Sequence, residues 1–489
     1  MDKKKGLIIG GSVGGAAILG LVVGSLVLAN TPSALIIRGA ANTFSDAKKI
    51  EIIDLADDVA NGGSIAISAN LDKIANDDVY AQAKIYTDAA NLKSAYEFTL
   101  TEDDDVVLNS RAMFSEDKMA FSCPELFDGT YGISYKNLQK NLPGSIFDPD
   151  EETQYSLDDE QYEHFLNLKD TVKNDKNLQR DITDMSAKYR QIAIKTLVKY
   201  ADVGRSSKTI TVGGEKISCT VITLTLDEEA LAAATQEIID YANADKDLEK
   251  LLYRVAANST YEDPDDYVDS FYDSLDEMED ELENMADSDI EVQFDVYITK
   301  SGRRIARLDA EFEVENEKAE ATLILGKNVA TSKEISFTVS TSDGDTSSIT
   351  YTVKENSSKM YEAELEIEES NSRYGYTDEY VVKVEWDKKS GDFELKYKGD
   401  YEDTFVIKGN LIQKGDKYIF LLTNIRSGSQ VVPYVKSLEL TITIDRNDPA
   451  PKVPSRYTEI TTMNERDFKH LSEDIQEGVE KIWDEYFDK

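Results

Sequence analysis

Eleven short runs between Ile290 and Ile444 alternate apolar and polar residues: VQFDVYI, ARLDAEFEV, AEATLIL, ISFTVS, SITYTV, YEAELEIE, YVVKVEW, FELKYK, FVIKGNLI, KYIFLLTNI and LELTITI. A period of two sends successive side chains to opposite faces of an extended chain, so each run predicts a half-buried β-strand. Ser301-Gly302, Asp343-Gly344 and Ser390-Gly391 fall between runs and supply tight-turn chemistry, which makes successive strands antiparallel neighbours. Glu, Lys, Thr and Asp fill one set of positions and Val, Ile, Leu, Phe and Ala the other. Such strands call for one broad curved sheet or open half-barrel with a cover over its apolar side.

The helices that could supply that cover come earlier in the chain. Helix-like spacing in IEIIDLADDV follows a charged turn at Ser45 to Lys49 and stops at Gly62-Gly63. Five alternating runs, SIAISANL, DVYAQAKIY, LKSAYEFTLT, DVVLNSRAMF and DKMAFSC, then predict five strands ending at Cys123. Ser156 and Asp159 read as a capping box that opens a helical stretch reaching Ala201, and KNDKN interrupts its apolar stripe, so two helices are expected. KTITVGGEKISCTVITLTL reads as a hairpin turning at Gly213-Gly214, with Thr225 and Glu228 capping the helix after it and another starting at Asp247. Val268, Phe271, Leu275, Met278, Leu282 and Met285 form a seam on a helix flanked by fourteen acids between Glu262 and Asp289. Like-charge repulsion disfavours pairing of that seam with a copy of itself, which leaves packing within its own domain or docking to a basic partner.

At the amino terminus, Gly6 to Ala29 is an uncharged run of 24 residues preceded by Lys3, Lys4 and Lys5. As a helix it would measure roughly 36 Å, enough to span a hydrocarbon core of about 30 Å. The length favours a retained anchor, although Val27-Leu28-Ala29 also fits a signal-peptidase site. Basic residues before the span and an acidic chain after it place the first five residues in the cytoplasm and the body outside the cell membrane, as a single-pass protein. Glycines spaced by four, Gly6, Gly10 and Gly14 among them, match the small-residue face of paired membrane helices, so a weak helix-mediated dimer is one expectation.

The expected fold class is therefore α+β, an N-terminal transmembrane helix followed by long antiparallel curved sheets or an open half-barrel covered by helices. The expected divisions are a tail at 1–5, an anchor at 6–29, a mixed strand and helix region at 30–289, a β-rich region at 290–445, and a Pro-rich linker with an amphipathic terminal helix at 446–489. That linker holds Pro449, Pro451 and Pro454, and the helix carries Phe468, Leu471, Ile475, Val479, Ile482 and Tyr486.

Charge excludes one class of partner. With 54 basic and 95 acidic side chains the formal charge is 54 − 95 = −41, which repels nucleic acid. Asp148, Asp150, Glu151 and Glu152 lack the residue order of a calcium loop, so neither a metal nor a cofactor is expected. The two histidines, His164 and His470, read as structural or exposed. Cys123 and Cys219 share apolar strand faces and are either a disulfide or two buried thiols.

The export signal, short helix, long antiparallel strands and helical cover resemble LolA/LppX-type exported carriers, whose curved half-barrel shelters acyl chains. GGSIAISANL, ITVGGEKISCTVITLTLDEEAL and VYITKSGRRIARLDAEF are similar to large uncharacterised exported proteins of Gram-positive anaerobes. The expected function is a non-enzymatic surface protein whose sheet binds an apolar ligand or an envelope protein. Its site would be a groove lined by Phe294, Leu308, Phe312, Leu323 and Phe337, unless those residues simply fill a core. The alternative is a cell-surface hydrolase using paired carboxylates.

Overall fold

The computed structural model describes residues 32–47, 51–71, 79–103, 105–150, 155–157, 159–257, 264–285, 289–314, 317–372, 375–399, 404–432 and 439–484. The apolar run at 6–29 and the tail before it lie outside them. Among the described residues no helix is long and apolar enough to cross a membrane. The class is α+β, with largely antiparallel strands and several helices. The chain divides into two compact units. Unit 1 comprises Met1–Asp54, Leu178–Lys389 and Glu394–Phe405, and unit 2 the remainder.

In unit 1 nine consecutive strands form an antiparallel meander. They are β7 (Asp202–Val212), β8 (Glu215–Asp227), β9 (Ile290–Thr299), β10 (Ile305–Val314), β11 (Glu317–Ile324), β12 (Glu334–Thr341), β13 (Thr346–Asn356), β14 (Met360–Asn371) and β15 (Tyr376–Asp387). Gly213 and Gly214 both take positive φ, 53° and 82°, which only glycine adopts without strain, and so close the β7–β8 hairpin tightly. The remaining runs of 290–444 also form strands: β16 (Asp392–Lys398), β17 (Phe405–Lys414), β18 (Lys417–Ser427) and β20 (Thr441–Asp445), with a short β19 (Gln430–Val431) between the last two.

The core of unit 1 lies on the face of β8 to β11 that meets helices α1 (Pro32–Ala47), α3 (Asp159–Tyr200) and α4 (Glu228–Ala244). Leu35, Ile36 and Ile37 of α1 and Ile194 and Leu197 of α3 pack there with Ile222, Leu226, Phe294 and Leu308. The far end of α1 is fixed by polar contacts: Thr43 accepts the Ile305 N–H at 2.9 Å, and buried Asp46 pairs with Arg304. Helices α5 (Lys246–Ala257) and α6 (Pro264–Met285) pack on each other, and α6 also meets α4. On the α6 seam Val268 and Leu282 are buried and Met278 is exposed.

Two local expectations need correction. The helical stretch before β7 is one helix of 42 residues, not two. It contains neither glycine nor proline, and an interrupted apolar stripe changes what a helix buries, not whether its backbone continues. The cap of α4 is Asp227, whose carboxylate accepts the Ala230 N–H at 2.9 Å, rather than Thr225, which remains within β8.

In unit 2 the five strands expected before Cys123 appear as β1 (Ser64–Asn70), β2 (Val79–Asp88), β3 (Lys93–Glu102), β4 (Asp105–Ser115) and β5 (Lys118–Ser122), followed by β6 (Tyr131–Ser134). They pair in order as an antiparallel meander, and β1 pairs on its other side with β20, Ser64 opposite Asp445. β20 in turn pairs with β18, so strands from both ends of the chain share this sheet. The Pro-rich segment is strapped to the sheet, not free of it. Asp448 takes Lys84 at 2.5 Å and Ser64 at 2.7 Å, and Ala450 is buried against Tyr86, Ala95 and Met113. Helix α7 (Glu465–Ile482) packs Phe468, Leu471 and Ile475 onto a cluster around Cys123, Ile133 and Leu142, while Val479 stays exposed.

Candidate functional site

The five groove residues fall in one cluster of unit 1. Phe294 and Leu308 are 6% and 4% exposed, and Phe312, Leu323 and Phe337 pack half-buried beside them. Phe294 and Phe312 meet edge to face, ring centroids 6.1 Å apart. The register explains the company these residues keep. Val296, Leu308, Leu323 and Phe337 stand opposite one another across β9 to β12, one row on one face.

That row continues past the helices. Phe337 stands opposite Ile349, Ile349 opposite Ile367, and Ile367 opposite Tyr380. These three are 48%, 39% and 39% exposed. The same side chains that bury a core on β9 and β10 therefore lie in water on β13 to β15. Beside them, Tyr351, Leu365 and Val382 form a second, half-buried row. Farther along this face the Tyr351 and Tyr361 hydroxyls hydrogen-bond to each other, and the Trp386 indole N–H is buried without an acceptor among the described residues. An unmet buried donor is uncommon and costs roughly 1–3 kcal/mol.

Unit 2 has an apolar face of its own. In β1 the small residues Ser64, Ala66 and Ser68 are buried, and Ile65 and Ile67 are 39% and 51% exposed. Ile65 stands opposite Ile85, and Ile85 opposite Tyr96; Ile67 leads through Ala83 to Phe98. Ile85, Tyr96 and Phe98 are exposed as well. On the other side of β1, Ile444 and Ile442 continue the two rows. No charged side chain interrupts these rows. Sequence reasoning passed over this face because SIAISAN alternates whichever set of side chains points inward.

No group of three or more potential metal ligands occurs among the described residues. Carboxylates with a clear shift, such as Asp117 beside Lys136 and Asp448, where the Lys84 and Ser64 hydrogen bonds outweigh burial, are held below the ordinary range. A catalytic acid needs the opposite shift. A polar cleft of about 830 Å³ opens between the Gly213-Gly214 turn, Arg304 and the Gly326 to Lys333 loop. Lys327 pairs there with Glu215 at 3.0 Å and Arg304 with Asp46, and none of the five groove residues lines it. His470 is exposed beside Glu473 on α7.

Asp245 anchors the start of α5. Lys188 reaches it at 2.6 Å and the Tyr189 hydroxyl at 3.0 Å. Burial pushes its carboxyl up, but these two hydrogen bonds outweigh burial and hold it below the ordinary 3.8. A carboxyl lowered on folding contributes stability that is complete above its unfolded pKa and is lost as pH falls through the folded one. Asp245→Asn should therefore flatten the loss of stability below about pH 4, as urea midpoints at about pH 5 and about pH 3 would reveal. Both cysteines are free and buried, and burial raises each thiol. A thiol reagent at neutral pH should label neither in the native protein within the time in which it labels both in urea.

No protein-family model, curated protein or solved structure matches the chain.

Proposed function

We propose that this chain is a membrane-anchored extracytoplasmic binding protein without chemistry of its own, and that the open end of the unit 1 sheet holds an apolar ligand. The observation that carries this reading is the row from Val296 to Tyr380, packed under helices at one end and solvent-accessible at Ile349, Ile367 and Tyr380. Contiguous exposed apolar surface on a protein mostly marks a ligand or partner site. The unpaired Trp386 donor on the same face suits a ligand that carries an oxygen acceptor at one end. This arrangement extends the groove expected at Phe294, Leu308, Phe312, Leu323 and Phe337 beyond its covered part.

An envelope protein is the second occupant this surface could take, favoured by its open, unwalled form. Titration with a neutral apolar fluorophore distinguishes the two, because a ligand site raises the emission of the dye and shifts it to the blue at low micromolar protein. A dye response no greater than that of a folded control protein would oppose the ligand reading. The anchor is tested separately. The protein should sediment with membranes while external protease digests its body, and a mature amino terminus at Asn30 would oppose retention.

A further inference from the structure

β7 is paired with β8 along its whole length, from Asp202 opposite Thr225 to Val212 opposite Glu215, and with no other strand among the described residues. Its second edge is thus a row of backbone N–H and C=O groups without ladder partners. Gly204 to Thr209 are all exposed. Proteins usually blunt such an edge with proline, a bulge, a short strand, a cover or charged side chains, lysine above all. β7 runs for 11 residues, contains no proline and keeps an unbroken register.

Its charges select among partners. Arg205 and Lys208 are the bases of this strand and Asp202, at its start, the one acid. Arg205 makes no ion pair among the described residues, and Lys208 reaches only the Tyr297 hydroxyl, at 3.2 Å. Arg205 and Lys208 are three residues apart and so stand on opposite faces of the strand; a second copy pairing antiparallel through β7 about either residue would set that base opposite its own twin. Like charges directly opposite destabilise a strand pair, whereas acids there would stabilise it.

We infer that the free edge of β7 accepts an extended acidic segment of another protein by strand addition, main-chain hydrogen bonds supplying affinity and Arg205 and Lys208 supplying selectivity. The test uses two blocked peptides with glutamate or with lysine at every third position among valines, a spacing that lets one added strand meet both Arg205 and Lys208, and reads amide hydrogen exchange along β7 in the full chain. The glutamate peptide should slow exchange at alternate β7 amides, those facing the free edge, and the lysine peptide should not. In the Arg205→Glu, Lys208→Glu double variant the glutamate peptide should bind about tenfold more weakly and the lysine peptide more tightly, as two cross-strand pairs of reversed sign require. Both substituted side chains are exposed, so an unchanged melting temperature confirms that the variant folds. The overall charge of −41 favours the lysine peptide everywhere else on the molecule. Equal protection by both peptides, preference for lysine in the wild type, or no β7 protection at millimolar peptide would each overturn the inference.

Discussion

Arg304→Ala is expected to destabilise unit 1 by about 3 kcal/mol, because it removes the cationic partner of a carboxylate that folding has taken out of water. The Asp46 side chain is 3% exposed and that of Arg304 29%. Their pairing joins the last turn of α1 to the start of β10, where Asn42 also donates to the carbonyls of Gly302 and Arg303 at 3.1 and 3.0 Å. Breaking a buried pair by removing one member costs more than the pair is worth, since the survivor keeps its desolvation penalty. The double variant Asp46→Ala, Arg304→Ala should therefore recover much of the loss, a coupling that urea unfolding of the two singles and the double would measure. An Arg304→Ala protein within about 0.5 kcal/mol of wild type would show that Asp46 is hydrated or satisfied elsewhere.

The second large effect is on binding. Ile349→Glu with Ile367→Glu should weaken uptake of a neutral apolar fluorophore by more than about tenfold, since each substitution replaces apolar contact worth on the order of 1 kcal/mol with a charge that must be desolvated. Both residues are exposed, at 48% and 39%, so the loss of stability should be smaller than that of a core truncation. Leu308→Ala provides the contrast. Leu308 is 4% exposed inside the helix-covered cluster, and its truncation should cost about 2–5 kcal/mol while leaving the open row intact. A dye response that follows Leu308 and ignores Ile349 and Ile367 would place the ligand under the helices instead.

Much of the fold was legible because strands announce themselves locally. A period of two and a glycine turn are contained in ten residues, and the strands of both units came out close to where VQFDVYI, YVVKVEW or SIAISANL put them. Pairing between distant strands has no such signature. Nothing in SIAISAN selects TITID as its neighbour, yet Ile65 stands opposite Ile444. Polarity also failed where both faces of a strand are acceptable: Ser64, which donates to Asp448 of the strapped segment, and Ala66 are the buried side chains, which leaves Ile65 and Ile67 outward. The break assigned at KNDKN confused the burial of a helix with its continuity. At the candidate site, the sequence named the row but not its open end. How far a helical cover reaches is set by tertiary packing, and Leu308 and Ile367 look alike in a pattern of alternation.

The most direct test of the account is native mass spectrometry of the full-length protein, purified in a detergent that the spectrometer strips away, with organic extraction of the same sample. The account predicts a species heavier than the 54.7 kDa chain by one small apolar molecule, lost in the Ile349→Glu, Ile367→Glu protein. A bare chain in both proteins, with nothing extracted and no dye uptake, would contradict it.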